Sequence, residues 1–424
     1  MKIFSCVSRG VVALAALLVF LAGPAVAAEP IRLGLPTTLS IFQGDEMLKA
    51  ATLAVEEINA AGGVAVGGQS LPLELISADL RDALPGVPVP EALMGVEKMI
   101  MDGKVDALVV GPIRSEAFLP AMDIVAKHKI PLVETVAMTP GFQAKVKENP
   151  EKYKYIFRAG MDGRYMAGYI IGTLRHLQEE YGFTKMIAII QDVVWARGTA
   201  EAVCGAMKKA GWDIVGIEAF PTGASDFSSA LLKTKMSGAQ VILDLFDMPT
   251  SGILVKQWAG MKIPALMVGD ISPMAGPDAW KTYDGKIGGI LNMVMESGNI
   301  AIPKIPASVE FLKAYEKRWG NVIQAPHSPS ASYEAVYIVK EAMERAGTRD
   351  GDAVAAAIKN TDRKGVMGRV RFDEGNQAVF GEDPEETAIG CMFQWREGGQ
   401  RVVVYPASVA EDKILLPDWM KSAK

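Results

Sequence analysis

Arg114 and Ser115 stand where a buried strand gives way to a helix, and both residue types can hold an anion. An arginine fork pairs with a carboxylate through two parallel N–H bonds. A serine at a helix start offers a hydroxyl, and the first turn adds free backbone N–H groups and the positive end of the helix dipole. Each also has a plainer reading, Ser115 as a helix N-cap and Arg114 as a solvated surface charge. Met138 and Thr139 follow a second apolar run. The thioether of Met138 adapts to an apolar pocket, and Thr139 adds a hydroxyl. Trp195 and Phe42 lie in predicted loops, where a flat ring can wall a cleft or pack beneath its own loop. Asp270 carries the carboxylate that a cationic amine requires as partner, or it caps the next turn. Phe246 and Asp247 end another predicted strand and stand in reserve.

The elements that must position these residues follow from hydrophobic periodicity. Residues 105–110 and 130–133 read as short strands buried on both faces. Between them Phe118, Leu119, Met122 and Val125 recur at helical spacing after Ser115. This is a parallel βαβ unit. Its two loops, at Arg114-Ser115 and at 136–139, lie at the carboxyl ends of strands, the edge of an open α/β sheet where ligands bind. Upstream come a strand at 31–35, a helix at 45–61, a strand at 71–78 and a helix at 91–102. Downstream come a strand at 155–158 and a helix to Tyr181. The pattern then restarts, with strands at 186–191, 214–219, 241–245 and 265–268 separated by helices. The loop 192–198 carries Trp195, and Asp270 follows the last of these strands. Residues 288–295 read as a strand returning toward the first half. Helices at 308–319, 330–346 and 352–360 follow, and the chain closes with a hairpin, 389–395 against 401–405, around Glu397-Gly398-Gly399. The reading is α/β, two Rossmann-like doubly wound lobes.

The chain has 424 residues, enough for two domains, and half of them are hydrophobic. A net charge of −5 makes neither nucleic acid nor an anionic membrane surface an expected partner. Residues 1–28 read as a secretory signal peptide: Lys2 and Arg9, an apolar stretch at 11–22, then Ala25-Val26-Ala27. Removing them leaves a charge of −7. Cys6 goes with them, and Cys204 and Cys391 are expected as two buried thiols, although export permits a disulfide. No further run is long enough for a transmembrane helix. His128 and His176 fall on predicted helices away from the strand ends, and His327 precedes a helix, so no pair has metal-ligand spacing. With no G-x-S-x-G elbow, phosphate loop or nucleotide fingerprint either, the chain is not expected to be an enzyme, and no cofactor or metal is expected.

Several longer words carry a resemblance: GDEMLKAATLAVEEINAAGGV (44–64), VDALVVGPIRSEAFLPAMDIVAKHKIPLVE (105–134), YIFRAGMDG (155–163), DFSSALLKTKMSGAQVIL (226–243), and GVMGRVRFDEGNQA followed by FQW. In order and spacing they resemble the solute-binding proteins of the branched-chain amino-acid ABC transporter family, the type I periplasmic binding proteins. The resemblance implies two lobes joined by a three-stranded hinge, with crossings near Arg158, Gly288 and Gly368. Lobe 1 would hold 29–158 plus 288–367, and lobe 2 would hold 159–287 plus 368–424. It implies a ligand in the cleft between them, with Ser115 at the position that holds an amino acid's carboxylate, and Trp195 where the second lobe presents an aromatic. Asp270 falls near the acidic residue for the ammonium. Arg114 is not usual at its position. Met138 stands where amino-acid binders place Thr or Ser, with Thr139 beside it. The implied protein is a periplasmic, monomeric substrate-binding protein. It would deliver an apolar amino acid or related carboxylic acid to an inner-membrane permease; the alternative is a ligand sensor docking on a separate signalling receptor.

Overall fold

The computed structural model describes residues 29–417 and Met420; the signal-peptide reading of 1–28 lies outside them. The first sheet has five parallel strands. Their order is Leu73–Asp79, Ile31–Thr37, Ala107–Leu108, Leu132–Glu134, Ile156–Arg158. The second has seven, in the order Gln400–Tyr405, Cys391–Arg396, Leu291–Val294, Leu266–Ile271, Val241–Phe246, Lys185–Gln191, Asp213–Phe220. It is parallel except where Cys391–Arg396 runs antiparallel to both its neighbours. Helices cover the sheets, so strands such as Val241–Phe246 and Leu266–Ile271 are buried throughout, as their mainly apolar sequences require, and each takes one aspartate, Asp244 or Asp270, into the interior with it.

Each sheet reverses its strand order once. In the first, Ile31–Thr37 and Ala107–Leu108 are neighbours whose connections leave in opposite directions; in the second, Lys185–Gln191 and Val241–Phe246 are. A crevice opens at such a switch point, beyond the carboxyl ends of the strands.

The chain passes between the sheets three times: after Arg158, after Val294 and at Gly390. Crossings were expected near Gly288 and Gly368. Leu291–Val294 instead hydrogen-bonds to Leu266–Ile271 and Cys391–Arg396 within the second sheet, so the chain leaves that sheet only afterwards. Gly368 lies in a small four-stranded sheet, Asp362–Gly365, Gly368–Arg371, Ala388–Ile389, Phe380–Gly381. The three crossings meet at one spot. A Cβ on Gly390 would come within 2.4 Å of Met161 Cε and 2.8 Å of Met295 O, and the Met161 N–H donates to Glu296 Oε1 at 3.0 Å.

Other differences have local causes. The strand expected at 105–110 shrinks to Ala107–Leu108 because Val110 takes a φ of 149°, uncommon for a β-branched residue. Trp195 is not in a loop: the helix Val194–Lys209 begins one residue before it. Asp270 does not follow its strand, which runs on through Leu266–Ile271. A hairpin, Val64–Val66 against Gln69–Leu71, fills the glycine-rich stretch after the first helix. Cys204 and Cys391 are buried free thiols.

Candidate ligand-binding site

The two switch points face each other, and a cavity of about 20 Å³ lies between them. Gln43, Ile113, Val136 and Met138 line it from the first sheet's side, and Trp195, Asp247, Asp270 and Ser272 from the second. Met295 and His327, at the crossings, complete it. The volume is that of a single water site.

Arg114 and Asp247 close the space across the two sides. Arg114 Nη1 donates to Asp247 Oδ2 at 2.6 Å and Nη2 to Oδ1 at 3.2 Å. Trp195 Nε1 donates to the same Oδ2 at 3.0 Å. Each partner is held from behind. The Arg114 N–H donates to Asp82 Oδ2 at 2.7 Å, and the Asp247 N–H to Gln191 Oε1 at 3.2 Å. Burial works against the charge on Arg114, but Asp247 beside it raises its pKa overall. A second tether runs from the Val194 N–H to Glu116 Oε1 at 3.2 Å. It supplies one of the acceptors that a helix N-terminus lacks.

Asp270 is fully buried, and its Oδ1 has no hydrogen-bond partner among the described residues. Burial pushes its pKa well above the usual range, with the Asp244 and Asp247 carboxyls adding to the effect. Ser272 Oγ donates to Oδ2 at 3.3 Å. On the other side Ser115 is the first helical residue, not the N-cap; that position is Arg114. The freed Ser115 hydroxyl is buried and also lacks a partner. Thr139 faces away from the cavity: its hydroxyl accepts from the Gly141 N–H and its carbonyl from Arg158. Met138, by contrast, lines the cavity. Phe42, half-buried, opens the helix Phe42–Ala60 and is not among the lining residues; the next residue, Gln43, takes that place.

His327 was set aside on sequence grounds, yet it sits at the heart of the crossings. Its Nδ1 lies 2.8 Å from Glu296 Oε1 and its Nε2 2.8 Å from the Val136 carbonyl. A carbonyl only accepts, so Nε2 carries a proton, and Nδ1 shares the contact with Glu296. Burial disfavours the charge, but Glu296 and the Val136 carbonyl raise the pKa overall. The one sequence signal was the pair of flanking prolines, Pro326 and Pro329. Between them Ser328 adopts a φ of 85° and donates its N–H to Glu296 Oε2 at 2.8 Å. Glu134 lies beneath the cavity's first-sheet side, its Oε1 accepting from the Val136 and Ala137 N–H groups and its pKa raised by burial to about 7.

A sequence model of the family described as periplasmic binding protein matches residues 30–383. A Leu/Ile/Val-binding protein homolog 7 from Brucella suis is 26% identical, covering 94% of this chain and 96% of its own length. A leucine-, isoleucine-, valine-, threonine-, and alanine-binding protein from Pseudomonas aeruginosa is 27% identical over 82% of this chain and 87% of its own. The crystal structure of a putative branched-chain amino acid ABC transporter from Silicibacter pomeroyi superposes with a TM-score of 0.77 at 20% identity, covering 92% of this chain and all of that one. At that identity the likeness establishes the shared α/β fold of two doubly wound halves.

Proposed function

The chain belongs to the periplasmic binding protein family, and from that premise we propose that it captures a small apolar amino acid between its two halves for an ABC importer. The observation that carries this reading is the orphaned Oδ1 of Asp270, buried in the cavity wall. A buried carboxyl oxygen without a partner is costly, and a ligand ammonium is a group that relieves it. The Ser115 hydroxyl, at the start of a helix on the opposite side, suits the ligand's carboxylate. Trp195, Met138 and Ile113 supply apolar walls for the side chain. The name of the Pseudomonas relative supports an aliphatic amino acid as ligand class.

In this reading the halves rotate about the three crossings at Met161, Met295 and Gly390, opening to admit the ligand and closing over it. Residues 1–28 direct export, and the closed form is what a membrane permease accepts. Among the described residues no helix is long and apolar enough to cross a membrane.

The test is a thermal-shift and calorimetric titration with leucine, isoleucine, valine, isovalerate and isoamylamine. A ligand at about a hundred times its Kd adds roughly 2.7 kcal/mol of stability. Leucine, isoleucine or valine is expected to bind, and Asp270→Asn to weaken it while leaving the fold intact. Binding of none of the five, or leucine affinity unmoved by Asp270→Asn, would sink the assignment.

A further inference from the structure

We propose that Asp247 occupies Arg114 as a built-in stand-in for a ligand carboxylate, so that the ligand enters by exchange: its carboxylate displaces Asp247 and takes the arginine fork. This rests on the reading above that the ligand carries a carboxylate, and it names Arg114, with Ser115 next to it, as the group that selects for that carboxylate.

The geometry carries it. The pair is the two-bond arrangement in which a guanidinium grips any carboxylate. Its members come from opposite sides, Arg114 from the start of the helix Ser115–His128 and Asp247 from the end of the strand Val241–Phe246. Their side chains are only 9% and 13% exposed. The pair is also a partition. Asp247 lines the inner cavity of about 20 Å³. Arg114 lines an outer pocket of about 340 Å³ shared with Leu84, Pro85, Val87, Glu116 and Thr222. The inner space takes one water, so no amino acid enters it while the pair is intact. Parting the halves leaves the Arg114 guanidinium without its carboxylate at the first-side switch point, its backbone still anchored on Asp82. It leaves Asp247 on the second side, with Trp195 Nε1 and the Gln191 amide. A charge stripped of a buried partner is poorly tolerated, and the incoming carboxylate restores the match on Arg114. Asp247 meanwhile returns to water as the cleft opens.

The stand-in has a signature that an ordinary wall residue lacks: removing it strengthens binding. Asp247→Asn is expected to tighten leucine and isovalerate by roughly tenfold, one competitor having been removed. Arg114→Gln is expected to weaken both by roughly thirtyfold or more. Small-angle X-ray scattering with no added solute is expected to show a larger radius of gyration for Asp247→Asn than for the parent protein. An unchanged radius overturns the proposal, as does unchanged or weaker binding of both probes by Asp247→Asn. If the parent protein binds none of the amino acids, the functional reading fails by itself, while the scattering comparison and the Asp247→Asn titration with isovalerate still decide for or against the stand-in. Circular dichroism melting of each variant checks that the fold survives.

Discussion

Two single residues dominate the behaviour of the site. Asp270 keeps its carboxyl in a buried place where the neighbouring groups are themselves acidic, Asp244 and Asp247. Its folded pKa is raised, so the native state holds a proton that the unfolded chain gives up. That contribution to stability is fully present below the ordinary aspartate range near pH ~4 and is lost as pH rises toward the raised value. Asp270→Asn is therefore expected to flatten the fall of the melting temperature above pH ~4, followed by calorimetry from acid to neutral pH without added ligand. An unchanged slope would show that the carboxyl has a partner that the geometry does not reveal. Trp195 acts through area and one hydrogen bond. Trp195→Ala is expected to weaken leucine binding by about 2 kcal/mol, roughly thirtyfold in Kd. Trp195→Phe should retain most of the wall and lose the bond to Asp247 Oδ2. Equal losses in the two variants would place the whole effect in that bond.

At the scale of elements, the crossings and the cleft loops are built around glycines that admit no side chain. A Cβ on Gly390 would sit 2.4 Å from Met161 Cε and 2.8 Å from the Met295 carbonyl, one contact from each of the other two crossings. Gly390→Ala forces these crossings apart and is expected to cost about 1–3 kcal/mol, read from the urea midpoint. Gly111 faces Glu134 in the same way, a Cβ lying 2.0 Å from Oε2, while the other oxygen is pinned by two backbone N–H groups. This explains why the strand ahead of Arg114 stops early. Its last residues turn to let Gly111 pass over Glu134, and the turn delivers Arg114 to the cleft. A Gly111→Ala protein with the parent's urea midpoint and leucine affinity would remove that explanation.

At the scale of the whole molecule, one histidine links the crossings to the cleft wall. His327 joins Glu296, which also accepts from Met161, to the carbonyl of Val136 in the cavity wall. Its folded pKa is raised above the ordinary 6.5. The stability it contributes is present below pH ~6.5 and lost as pH rises through the folded value, because the native state then binds the extra proton. Glu46 adds a loss with the same sign at lower pH. Burial raises it to about 7 even though it accepts from the Gln324 and Ala325 N–H groups. The global melting temperature is thus expected to fall in two stages. The first, between the ordinary glutamate pKa and about 7, is reduced by Glu46→Gln, the remainder belonging to Glu134 and Asp270, whose pKa values burial also raises. The second, above pH ~6.5, is removed by His327→Gln. A pH profile that His327→Gln leaves unaltered would mean that the imidazolium is not what ties the halves at the crossings.

The order of elements and the alternation that makes two doubly wound halves were legible in the sequence. Apolar runs such as 186–191 and 241–245 can be satisfied only by burial on both faces, and the helical spacing after Ser115 leaves one face to bury. These are local demands that the chain meets wherever it folds. The cleft was legible as a set of strand ends, and Arg114, Met138, Trp195 and Asp270 all arrive there or at its edge. Partnership was not legible. Arg114 and Asp247 are 133 positions apart, and His327 and Val136 are 191 apart, so no spacing rule relates them. Their pairing depends on how two sheets lie across three crossings. The second crossing was misplaced because an apolar run reads the same in either sheet; only hydrogen-bonded neighbours decide which one it joins. Charge states followed the same division. That a carboxylate stood at 270 was plain, but that it is buried beside two others, and that a histidine is held between a carboxyl and a carbonyl that raise its pKa, are properties of distance and burial that exist only once the chain has folded.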